Sequence, residues 1–112
     1  MTKLLLIPVL CCLAAPAFAD AKLQRSSPAA GAKVTSSAHV ILHFSEAIEP
    51  AFSGVLLLDS DGRNVSGAPV KIGGLDMVMT PGPLAPGVYH VAWHAVGHDR
   101  HRLEGEFRFT VK

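Results

Sequence analysis

Two histidines and an aspartate stand together at His98-Asp99-Arg100-His101. Imidazole and carboxylate form a ligand set for Cu(II), Ni(II) or Zn(II). Histidines and acids also gather in solvated loops that bind nothing, so this cluster alone leaves both readings open. The other donors offer less. His39 and His43 flank an apolar alternation and are expected at the solvated surface. His90 and His94 fall on one face of a strand pattern, about 13 Å apart, too far to chelate one ion directly. Met77 and Met79 are two thioethers where a Cu(I) site prefers several soft ligands, so they are expected to fill gaps in a core. No nucleophile elbow and no supported Ser-His pairing point to a hydrolase.

A metal cluster needs a rigid base, and the flanking residues supply a pattern for one. Tyr89, Val91, Trp93 and Ala95 alternate with His90, Ala92, His94 and Val96. Phe107, Phe109 and Val111 alternate with Glu106, Arg108 and Thr110. Both runs have the period of two that marks a half-buried strand, which puts the cluster at a corner between two strands. By this parity Trp93 faces inward with Tyr89 and Val91, as core.

Upstream, Val40, Leu42 and Phe44 form a first clear strand, and Val55–Leu58 is a short apolar run. Ser27-Pro28-Ala29-Ala30-Gly31 and Asp59-Ser60-Asp61-Gly62 read as turns. The link Glu46–Phe52 has room for one helical turn ahead of Pro50. Val70–Ile72 and Met77–Met79 flank Gly73-Gly74 as a hairpin. Seven or so short strands with frequent turns predict an all-β fold, a Greek-key β-sandwich or barrel.

Residues 1–19 read as a signal peptide. Lys3 is the basic start, Leu4–Leu13 the apolar run, and Ala17-Phe18-Ala19 the small-x-small cleavage site. The run is shorter than the ~20 residues that span a bilayer. Cleavage after Ala19 leaves residues 20–112 as one domain and removes both cysteines, Cys11 and Cys12. Ten Lys and Arg stand against nine Asp and Glu, and Lys3 leaves with the signal, so the remainder is formally neutral. That balance gives no basic stripe for nucleic acid and no polybasic run as a membrane anchor.

Leu84-Ala85-Pro86-Gly87-Val88-Tyr89, then Val91, Trp93, Asp99, His101, Gly105, Phe107, Phe109 and Val111 fill the pattern L-x-x-G-x-Y-x-V-x-W…D-x-H-x-x-x-G-x-F-x-F-x-V. Pro28-Ala29-Ala30-Gly31, preceded by serine, and Leu42-x-Phe44-Ser45-Glu46 add P-A-x-G and L-x-F-S-E. With these motifs the chain resembles the CopC family of periplasmic copper-binding proteins over nearly all of residues 20–112. The resemblance implies a cupredoxin-like or immunoglobulin-like sandwich in the periplasm, without enzymatic activity, that binds Cu(II) in copper resistance and homeostasis. It also implies hand-over to a membrane partner, such as an inner-membrane copper transport protein of the CopD type. Its ligands are the amino-terminal residue and the D-x-H corner, which correspond here to Asp20, Asp99 and His101.

The family begins with histidine, whereas this chain has Asp20. An α-amine and β-carboxylate on one residue still chelate through a six-membered ring, but an imidazole is lost. His98, beside the corner aspartate, is a compensating donor if the backbone turns there. The alternative expectation is a sandwich interaction module that has kept the fold and lost most metal affinity.

Overall fold

The computed structural model describes residues 22–35 and 39–112. These residues form eight strands in two four-stranded sheets, packed face to face. In chain order they are β1 (Leu23–Ser27), β2 (Lys33–Val34), β3 (Val40–Phe44), β4 (Gly54–Leu58), β5 (Lys71–Gly73), β6 (Asp76–Met79), β7 (Gly87–Val96) and β8 (Arg102–Val111). One sheet has the order β1-β3-β6-β5 and the other β2-β8-β7-β4. The chain changes sheet repeatedly and pairs with its sequence neighbour only in the hairpins β5–β6 and β7–β8, as in a Greek-key sandwich.

Alternation decides which side chains meet between the sheets. Val40, Leu42 and Phe44 of β3, with Met77 and Met79 of β6, face Val55 and Leu57, Tyr89, Val91 and Ala95, and Phe109 and Val111. Met77 and Met79 are fully buried, which is the gap-filling role expected of them. Fully burying a side chain of this kind is worth about 1.5–3 kcal/mol, so this layer is the main source of stability. Tyr89 stacks on Phe109 at 5.8 Å, and its hydroxyl donates to the Ala85 carbonyl at 2.6 Å. That bond ties down the Pro-rich entry to β7, the strand that carries the corner.

Three details differ from the reading of the sequence. β1 was not foreseen, because Leu-Gln-Arg-Ser-Ser has no alternating apolar side; its antiparallel pairing to β3 makes it a strand. The single helical turn in the Glu46–Phe52 link is a 3₁₀ turn that begins at Pro50 instead of ending before it (Pro50–Phe52). Proline has no N–H to give and its fixed φ suits the first position of a turn, while the residue before it is pushed toward extended backbone. Trp93 is on the inner side as its parity requires, yet it is only part-buried. It sits near the rim, edge-on to Phe44 at 5.2 Å and directly over Gly105.

The turn Ala29–Ala32 is closed by the Ala32 N–H on the Ala29 carbonyl at 3.0 Å, with Gly31 at φ +78°. A positive φ at that position is a conformation that glycine adopts without strain and most other residues do not. It swings the chain from β1 in one sheet to β2 in the other.

Candidate metal centre

The β7–β8 ladder ends with Val96 opposite Arg102, and the chain reverses over His98, Asp99 and Arg100. The Arg100 N–H donates to the Gly97 carbonyl at 3.0 Å and the Gly97 N–H to the His101 carbonyl at 3.3 Å. Arg100 sits at φ +68°, so the loop is a tight turn followed by one left-handed residue. The expected corner between two strands is therefore present, and its backbone does turn.

Asp99 and His101 are brought together by that turn. One carboxylate oxygen, Oδ1, accepts the His101 backbone N–H at 3.0 Å. The other, Oδ2, lies 3.3 Å from His101 Nδ1. Two donors on a metal with bonds of about 2 Å are separated by about 2.9 Å when they occupy neighbouring corners of a square. The observed separation fits such a pair with a small closing movement. Asp99 thus has two relations to His101, one fixing its backbone and one facing its ring.

His98 points elsewhere. Its Nδ1 lies 3.2 Å from Glu49 Oε2, and no contact joins its ring to Asp99 or His101 among the described residues. With Nδ1 donating to that carboxylate, the neutral ring carries its lone pair on Nε2.

Glu49 belongs to a strap that the sequence did not reveal. Ile48 bridges Gly97, the Glu49 N–H donates to the Val96 carbonyl at 2.8 Å, and the Val96 N–H donates to Ser53 Oγ at 3.0 Å. The segment from residue 48 to residue 53 is thereby laid along the end of β7. Ahead of it, the Lys22 N–H donates to Ser45 Oγ at 2.9 Å and the Ser45 N–H to the Lys22 carbonyl at 2.8 Å. Lys22 is thus bonded to Ser45, and three residues further along the same link Ile48 bridges Gly97 at the corner. The signal for it was the Leu42-x-Phe44-Ser45-Glu46 motif, whose serine carries the turn away from β3.

Asp20 lies outside the described residues, as does the whole proposed signal segment. Among the described residues no group of three or more His, Cys, Asp or Glu is arranged to hold a metal ion. The corner offers two such donors, Asp99 and His101. The remaining histidines are dispersed. His43 Nδ1 pairs with Asp76 Oδ1 at 2.6 Å across β3 and β6, His39 Nδ1 meets Thr80 Oγ1 at 3.1 Å, and His90 Nδ1 lies 3.5 Å from Glu106. His43, expected in solvent, is half-buried because its neighbour strand supplies a carboxylate. No helix among the described residues is long and apolar enough to cross a membrane.

Comparison with known proteins gives one consistent result. Residues 23–112 match the family model for the CopC domain. Copper resistance protein C of Pseudomonas syringae pv. tomato is 38% identical over 109 residues, covering 89% of this chain and 86% of that protein. Protein YobA of Escherichia coli (strain K12) is 38% identical over 100 residues, covering 85% and 81%. The crystal structure of PcoC, a methionine-rich copper resistance protein from Escherichia coli, superposes with a TM-score of 0.76 at 35% identity. That alignment covers 84% of this chain and all of PcoC. The two-sheet architecture, the hairpin corner and these matches agree: the chain belongs to the CopC family.

Proposed function

We propose that the protein binds one Cu(II) reversibly in the periplasm, after removal of residues 1–19, and carries or buffers it in copper resistance and homeostasis. The observation that carries this reading is the Asp99–His101 pair, an oxygen and a nitrogen donor 3.3 Å apart on a hairpin corner. Cu(II) takes mixed nitrogen and oxygen donors in a tetragonal arrangement, and such a pair fills two neighbouring positions. Asp20 is the proposed third ligand residue, through its α-amine and carboxylate. His98 contributes only through Nε2, since its Nδ1 faces Glu49. The family membership and the names of the copper resistance relatives support copper as the cargo. Hand-over to an inner-membrane copper transport protein of the CopD type completes the proposal, because a buffer that fills must also be emptied.

Titration of the processed protein with Cu(II), followed by electron paramagnetic resonance, tests it. We expect one Cu(II) per chain, a tetragonal nitrogen-oxygen spectrum, and loss of that bound signal in His101→Ala. His43→Ala and His90→Ala should bind as the parent does. Parent-like binding by His101→Ala would show that the corner is not the site. A second reading, a sandwich interaction module with little metal affinity, is favoured by the shortage of donors among the described residues. It predicts no stoichiometric uptake in the same titration.

A further inference from the structure

We infer that the cleft flanking the corner is a binding site for a small organic carboxylate, with Arg100 as its anchor. The cleft has a volume of ≈ 720 Å³ and is walled by Phe52, Ser53, His94, Val96, Arg100 and Arg102, among others. Small-molecule sites occupy roughly 300–1,000 Å³, so it is of the right size for one. Its mouth carries Phe52, 64% exposed, a ring with no place in the core. An aromatic or flat aliphatic body has apolar surface to rest on there.

The charges on its walls are unequally committed. Glu49 is the single acid in the lining, and it faces His98. Arg102 gives its Nε to Glu104 at 3.0 Å. The Arg100 guanidinium makes no hydrogen bond or ion pair with any described residue. A guanidinium facing a cleft offers two parallel N–H groups that match a carboxylate.

The backbone of Arg100 provides the independent observation. At φ +68° it holds a left-handed conformation that glycine takes without penalty and a residue with a Cβ does not. A position so suited to glycine, occupied by a long cation that lines a cleft, indicates a use for the head group. Because Arg100 lies between Asp99 and His101, a carboxylate held there sits beside the proposed copper ligands. The inference nonetheless concerns the copper-free protein and does not depend on the copper reading.

The test is a titration of copper-free protein with phthalate, followed by amide chemical shifts and calorimetry, with neutral benzamide as the comparison. We expect saturable binding of phthalate with shifts centred on Ser53, Val96 and Gly97, and binding of benzamide weaker by about tenfold or more. Arg100→Gly should also weaken phthalate by about tenfold while folding normally. Arg100→Asn, which tolerates the left-handed conformation, should show the same loss. Non-saturating shifts spread over the surface, equal binding of benzamide, or parent-like binding by both variants would each overturn the assignment. If an acidic hexapeptide displaces phthalate, the natural carboxylate is a side chain of a partner; if not, it is a free acid. Either result supports a carboxylate site.

Discussion

Lys22 and Ser45 are joined twice, by the Lys22 N–H on Ser45 Oγ at 2.9 Å and by the Ser45 N–H on the Lys22 carbonyl at 2.8 Å. The pair fixes the beginning of β1 to the link that, three residues on, bridges Gly97 at the β7–β8 corner. From Lys22 back to residue 20 the chain can extend by about 7 Å at most. If processing exposes the amine of residue 20, its reach from Lys22 is short, and Lys22 is bonded to Ser45, three residues before the Ile48–Gly97 bridge.

That linkage makes Ser45→Ala a test of the tether. Losing the hydroxyl removes the acceptor of one of the two bonds, at a cost of about 1 kcal/mol in stability. If the proposed copper site uses the amino-terminal residue, Cu(II) affinity should fall too, by somewhat less than tenfold. Urea unfolding and a competitive copper titration read the two effects separately. A stability loss with unchanged affinity would mean that the tether does not serve the metal.

Gly105 and Trp93 give a sharper prediction about packing. A Cβ built on Gly105 would lie 2.5 Å from Trp93 Cζ2 and 2.8 Å from its Nε1. Gly105→Ala must push the indole off Phe44, with an expected cost of about 1–3 kcal/mol. Trp93→Ala removes a large, part-buried ring and should cost about 3 kcal/mol. In a Trp93→Leu background the alanine at 105 has room, so its penalty should fall below about 0.5 kcal/mol. Thermal melts of the four proteins form the cycle. Additive effects would show that the two residues do not share the space.

Much of the architecture was legible in the sequence, because period-two alternation reports directly on a two-faced sheet. It gave β3, β7 and β8, while the Gly73-Gly74 turn gave the β5–β6 hairpin, and two thioethers alone, too few for Cu(I), were read as core. β1 and β2 were invisible because edge strands with few apolar residues are made by their partners and not by their own composition. The corner could be read as His98-Asp99-Arg100-His101, yet not that His98 turns away to Glu49. Glu49 and Ser53 come from a link 43 or more residues earlier in the chain, and such long-range pairing leaves no local spacing to detect. Arg100 was passed over for a related reason: its significance lies in a backbone dihedral.

His43 and Asp76 supply a control for the copper experiments. Their 2.6 Å contact joins β3 to β6, and half of the Asp76 side chain remains in solvent. Part-buried pairs with one partner open to solvent contribute modestly, so His43→Ala should cost about 1 kcal/mol. Copper uptake should not change. A drop in stoichiometry with this variant would point to a second metal site on the outer face of the β1-β3-β6-β5 sheet.

Asp20, the proposed amino-terminal ligand where the resemblance to the family expects histidine, allows the most direct test of the proposed site. Asp20→His restores an imidazole beside the α-amine, and imidazole is a stronger donor to Cu(II) than carboxylate. A gain of ~1.4 kcal/mol corresponds to tenfold, and we expect Asp20→His to tighten Cu(II) binding by at least about that factor. The comparison requires processing after Ala19 in both proteins, which intact mass establishes. An additional residue ahead of position 20 should abolish the gain, because the amine then no longer belongs to the residue that bears the imidazole. Unchanged affinity in correctly processed Asp20→His would place the amino terminus away from Asp99 and His101. The missing donor would then have to be His98, and Glu49→Gln, which weakens the hold on its Nδ1, should alter copper affinity where Asp20→His had not.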